Sequence, residues 1–172
     1  MELPEGFCII SGGQTGADRA ALDFAIRTGI PHGGWCPRGR LAEDGPLPLI
    51  YKLDETSSPR YDQRTRWNVR DSDATLLLTI HRELRGGTGL TAKVAQQLGR
   101  PWLHISRDCC PSPAKAGRQV ERFLRAHNAI KLHVAGPRAS QQPEIPSFVN
   151  ATLTSALMTS VPISSGQAEH PQ

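Results

Sequence analysis

The chain has 172 residues, enough for one domain with a sizeable core. At 38% hydrophobic and 21% charged it is composed as a globular protein, which excludes a disordered chain. Its net charge of +4 comes from 16 Arg and 4 Lys set against 16 acids. Bases alternate with acids, as over residues 60–73, so no concentrated face for nucleic acid is expected.

In chain order, Met1 to Gly6 is acidic and carries Pro4, unlike a signal peptide, and no apolar run reaches the length of a membrane span. A cytoplasmic protein without membrane contact is expected. An apolar run, Phe7 to Ile10, then meets Ser11-Gly12-Gly13-Gln14-Thr15-Gly16, and a helix-type pattern covers Ala17 to Thr28. A strand feeding a glycine turn that opens a helix can present backbone N–H groups to an anion. The turn lacks the Lys-Ser/Thr ending of a P-loop, and Ser11 stands where a dinucleotide fingerprint has its first glycine. No ribose-binding acid follows about 20 residues on, which disfavours nicotinamide dinucleotides. Asp18 suits the helix dipole; Arg19 does not, which makes it a candidate anion contact.

His32 to Trp35 reads as a short strand, and Arg38 falls just past its carboxyl end, where open parallel sheets bind ligands. Glu43 and Asp44 are candidate acids or bases, though pairing with Arg38 and Arg40 is favoured. Residues 45–59 are Pro-rich and irregular, with a short strand possible at Ile50 to Leu53. Tyr61 to Asp71 is a mixed-charge helix anchored by Trp67, as core or subunit interface.

Ala74 to Ile80 is the clearest buried strand. Past it, Gly86-Gly87-Thr88-Gly89-Leu90-Thr91 reads as a second glycine turn before a helix over Leu90 to Leu98. A strand at Pro101 to Ile105, a helix at Pro113 to His127, a strand at Ile130 to Ala135 and a helix at Pro146 to Ser160 follow. Gly136 and Arg138 again lie past a strand end. Residues 163–172 have the composition of a frayed tail, leaving one domain over 1–162. Four cysteines without a C-x-x-C pair and six scattered histidines point to no metal site. Strands alternating with helices imply a doubly wound, mostly parallel α/β sheet of about five strands with helices on both faces.

Residues 11–23 (SGGQTGADRAALD) resemble the opening signature of the molybdenum carrier protein family. So do Gly33 to Arg40 with Glu43-Asp44-Gly45, Arg64 to Asp73, the Gly86–Thr91 turn, and Val134 to Arg138. The resemblance covers roughly 7–160, although the Gly86–Thr91 turn departs somewhat from the family's form. It implies a Rossmann-like fold related to lysine-decarboxylase-like and cytokinin-activating proteins. It also implies a homo-oligomer (dimer or tetramer) and binding of molybdenum cofactor, a phosphorylated pterin bearing a molybdenum oxyanion. Handover to molybdoenzymes or cofactor-synthesis proteins is the corresponding partnership.

The leading expectation is therefore a carrier or storage protein rather than an enzyme, with no catalytic residue and no metal ligand of its own. Gly12, Gly13, Gln14, Thr15 and Gly16, with Gly86, Gly87, Thr88, Gly89 and Thr91, would hold the phosphate through backbone N–H groups. Arg19, Arg38 and Arg138 would supply charge, and Asp18 and Gly136 would lie on the same rim. The alternative is an enzyme cleaving the N-glycosidic bond of a nucleoside monophosphate, with Glu43, Asp44 or Asp18 as acid. The absence of a glutamate shortly after the second glycine turn weighs against it.

Overall fold

The structure, a computed structural model, describes residues 2–158. The expected tail at 163–172 lies outside the described residues, as do the last two positions of the helix expected to reach Ser160.

Five parallel strands form the central sheet: β1 (Cys8–Ile10), β2 (His32–Gly33), β7 (Ala74–Thr79), β8 (Trp102–Ser106) and β9 (Lys131–Ala135), in the order β2-β1-β9-β7-β8. β7 is buried at all six positions, because helices cover both faces and leave no residue for solvent. Its side chains divide with period two. Leu76 and Leu78 join the larger core, with Ile9, Leu132 and Val134, beneath α1 (Ala17–Thr28), α4 (Pro113–Ala126) and α5 (Ile145–Leu157). Leu77 faces Ala92 and Ala135 on the opposite side, where α2 (Tyr61–Arg70) packs on α3 (Gly86–Gln97). α1 closes as its sequence dictates: Gly29 adopts the left-handed conformation, and its N–H reaches back to Ala25 and Ile26.

The strand order carries positional meaning. If β9 and α5 are counted first, the sheet reads third-second-first-fourth-fifth, the order of doubly wound nucleotide-binding sheets. The reversal point then falls between β9 and β7, and crevices form there outside the carboxyl ends of the strands.

Two local expectations change. The strand expected over His32 to Trp35 is broken at Gly34, whose φ is 129° and where a Cβ would lie 2.3 Å from the Ser11 carbonyl oxygen. The chain leaves the main sheet there. β3 (Trp35–Cys36) instead pairs with β6 (Asp54–Glu55), so the strand sought at Ile50 to Leu53 forms just after it. β4 (Leu41–Ala42) and β5 (Gly45–Pro46) make a small antiparallel hairpin in the same excursion. Arg40 holds this region together by donating to the carbonyls of Leu47, Pro48, Tyr51 and Leu53 at 2.8–3.1 Å.

Candidate functional site

A cleft of about 340 Å³ opens at the reversal point. The start of α1 gives it Gln14 and Asp18; α2 gives Tyr61, Arg64 and Thr65; α3 gives Gly86, Gly87, Thr88, Leu90 and Thr91. β9 and the segment after it give His133, Ala135, Gly136, Arg138 and Gln141. Arg64 reaches Asp18 at 2.6 Å (Nη1 to Oδ2), with the two side chains only 13% and 4% exposed. Gly12 makes that reach possible, since a Cβ there would lie 1.5 Å from Arg64 Nη1.

Two donors at this cleft have no acceptor among the described residues. Gln14 Oε1 accepts the N–H groups of Thr15 (3.0 Å) and Glu43 (2.8 Å), which fixes the amide orientation and leaves Nε2 buried and unpartnered. Arg64 Nε is likewise buried without a partner. Native proteins rarely leave such groups unsatisfied. Beside them, α3 begins at Gly86 after Arg85, with no side chain capping it. Gly86, Gly87 and Thr88 thus line the cleft at the positive end of a twelve-residue helix, where first-turn N–H groups have no intrahelical acceptor. Arg138 lays its guanidinium over the Tyr61 ring, 5.0 Å from the centroid; its charge reaches Glu43, but no carboxylate among the described residues forms an ion pair with it. His133 lies buried at the base, 3.4 Å from the Thr75 hydroxyl. Burial, reinforced by Arg64, pushes its pKa down to about 3, so it is neutral there. The arrangement is a donor-rich, cationic pocket suited to an oxyanion.

A second cleft, of about 640 Å³, shares Thr88 and Gln141 with the first and continues along the ends of β7 and β8. Its walls include Thr79, Arg82, Pro137 and Gln142, an Arg85–Glu83 pair, and His81 facing Asp108 at 3.2 Å.

The structure gives several expected anion contacts other work. Arg19 donates to both Asp44 carboxylate oxygens at 3.1 Å and to the Gly13 carbonyl at 3.2 Å. Asp44 is held below its usual range chiefly by that guanidinium. Glu43 accepts from the hydroxyls of Ser140 and, second, Thr15, which lower its pKa and tie the first turn to the segment after β9. The pairing expected between these acids and Arg38 or Arg40 is therefore replaced by other partners. In the first turn the Thr15 N–H goes to Gln14 and the Ala17 N–H to the Pro137 carbonyl at 3.1 Å, so neither is left for a ligand. Gly13 faces Leu47 and Leu53, and Gly16 packs against residues 137–139. Arg38 is exposed and lines neither cleft. Gly86 to Gly89 are not a turn ahead of a helix at Leu90 but the first turn of α3 itself. Thr91 donates its hydroxyl to the Gly87 carbonyl at 2.9 Å, and Gly89 sits close to the Leu84 carbonyl.

Of the residues expected at the site, Gln14, Asp18, Gly86, Gly87, Thr88, Thr91, Gly136 and Arg138 line this cleft; Tyr61, Arg64, Thr65, Leu90, His133, Ala135 and Gln141 line it without having been expected there. Arg64 left one signal in the sequence, as the first residue of the Arg64–Asp73 stretch that carries the resemblance. Only the structure shows that its helix neighbours Thr65, Asn68 and Val69 are buried.

Comparison with known proteins agrees with this architecture. The family profile described as the circularly permutated YpsA SLOG family matches residues 9–157. The crystal structure of a protein named "Putative molybdenum carrier protein" from Syntrophus aciditrophicus SB is 47% identical, with a TM-score of 0.87 over 91% of this chain and 98% of that one. No curated protein matches the chain.

Proposed function

The chain belongs to the circularly permutated YpsA SLOG family, and from that premise we propose that it binds and carries molybdenum cofactor through the cleft between β9 and β7, without transforming it. The observation that carries this reading is the buried, unpartnered Nε2 of Gln14 beside the uncapped start of α3. An unsatisfied buried donor costs about 1–3 kcal/mol, which a ligand oxygen restores on binding. A phosphate fits here: its charge meets Arg138 and the helix N-terminus, and its oxygens meet Gln14 and Gly86 to Thr88. The pterin end would lie in the second cleft, which continues from Thr88. The name of the Syntrophus relative supports a molybdenum-containing cargo.

The same features weigh against cleavage of a nucleotide. Glu43 lines neither cleft, and Asp18 is held by Arg64, so neither is placed as a proton donor to a glycosidic bond.

Thermal unfolding with molybdate, tungstate, phosphate, nucleoside monophosphates, molybdenum cofactor and its metal-free pterin tests the proposal. Ligand at 100 times its Kd stabilises by about 2.7 kcal/mol, so the cofactor should raise the midpoint by about 5–10 °C. Arg138→Ala should abolish that shift. A shift with nucleotides alone, accompanied by release of free base, would replace the carrier with the enzyme; no shift with the cofactor would end the carrier reading.

A further inference from the structure

Cys109 and Cys110 stand together on the turn that follows β8, and neither clefts nor cargo have given them a role. Both thiols are free, Cys109 exposed and Cys110 half-buried. Their backbone N–H groups both donate to the Ser106 carbonyl, at 3.2 and 2.9 Å, which winds the two residues into one tight turn. Both line a small cleft of about 230 Å³ that also contains Arg82, His104 and Gln119. Gln119 Nε2 lies 3.5 Å from Cys110 Sγ as a donor, and Arg82 adds positive charge to the same cleft. The Cys110 thiol in turn faces the Ser112 carbonyl at 3.9 Å, so the two sulfurs sit side by side in a polar, solvent-open cleft. Cys8 lies half-buried in β1 and Cys36 is buried in β3; neither has a cysteine neighbour in the chain, and burial pushes both thiols up.

We propose that Cys109 and Cys110 form a redox-sensitive dithiol, closed by a peroxide into a reversible vicinal disulfide at the rim of the ligand groove. The exposed Cys109 sulfur gives up its proton and attacks one peroxide oxygen; the O–O bond breaks, a sulfenic acid forms, and the other oxygen takes up that proton and leaves as water. Cys110 sulfur then attacks the Cys109 sulfur; the S–O bond breaks, a second water leaves, and the S–S bond forms. Two thiols are oxidised as one peroxide is reduced. Adjacent Cα atoms are about 3.8 Å apart across a trans peptide, below the usual disulfide span of about 4.4–6.8 Å, so the bond is strained and readily reduced. A strained disulfide of this kind serves as a switch rather than a staple.

The switch is wired to the groove. Arg82 lines both the cysteine cleft and the larger cleft, and Asp108, next to Cys109, pairs with His81 in the larger one. Closing the ring twists the Cys109–Cys110 peptide, loosens its bonds to Ser106 and shifts that wall. The proposal does not depend on which ligand the groove holds.

The test uses the full chain, treated with hydrogen peroxide, then alkylated under denaturing conditions and digested with trypsin. Cleavage after Arg107 and Lys115 releases a peptide, residues 108–115, that contains both cysteines and no other. The expected result is that peptide unalkylated and lighter by two hydrogens, restored by dithiothreitol, with Cys8 and Cys36 alkylated throughout. Reduced protein should also bind phenylarsine oxide, a two-thiol probe, one per chain, and Cys110→Ser should abolish this. Two intact thiols after peroxide, a sulfinic acid at Cys109 beside an alkylated Cys110, or a disulfide between chains would each overturn the proposal.

Discussion

Arg64 and Arg138 face the same cleft, yet their substitutions should separate stability from binding. Arg64→Ala strands the Asp18 carboxylate, 4% exposed, without its partner; breaking such a pair costs about 3–5 kcal/mol. Arg138 makes a ring contact with Tyr61 and no carboxylate pair among the described residues, so Arg138→Ala should cost no more than about 1 kcal/mol. Urea unfolding of both variants, alongside ligand titration, checks this: Arg64→Ala should lower the midpoint strongly, and Arg138→Ala should lose ligand while remaining folded. His133 sets a pH dependence. Its folded pKa is depressed from 6.5 to about 3, so between those values the unfolded chain binds the proton and the folded chain does not. Stability conferred by the neutral ring is therefore complete above pH 6.5 and falls as pH drops toward 3. Replacing His133 with Asn should flatten the change of urea midpoint with pH across that window, and an unchanged slope would assign it to other groups.

At the scale of elements, α1, α4, β7 and β9 formed close to where periodicity and turn chemistry placed them, because those signals act over neighbouring residues. The start of α3 was not legible. Three glycines in four positions are poor helix formers, so the sequence reads as a turn; packing of the helix on α2 and β7 extends it back to Gly86. That extension brings the first turn of the helix to the cleft. Gly87 has open space around its Cβ position and a φ outside the left-handed region. Gly87→Ala should therefore stabilise the chain by about 0.4–1 kcal/mol through the unfolded state. The added methyl should at the same time narrow the approach to the helix end and weaken ligand. Calorimetry of folding and of binding on one sample reads both signs, and a rise in affinity would remove the first turn of α3 from the site.

For the whole molecule, the strand order makes a test of the permuted topology direct. A chain begun at Asn128, ahead of β9, with residue 158 joined to Gly6 by a flexible linker and ended at His127, keeps every strand neighbour. It should unfold in a single transition and bind the same ligands; a molten product would mean that chain order, not packing, holds β9 in the centre. The sequence by itself determined the alternating α/β layout, the parallel sheet with both faces covered, and the gathering of glycines at strand ends. These follow from local periodicity and from the need of parallel strands for crossover helices. Only the tertiary structure decided which cation is left for a ligand. Arg19 meets Asp44 from 25 residues away and Arg64 meets Asp18 from 46, pairings set by how loops and helices converge over the sheet. A guanidinium's partner is fixed by distance in space, and that distance exists only once the chain has folded.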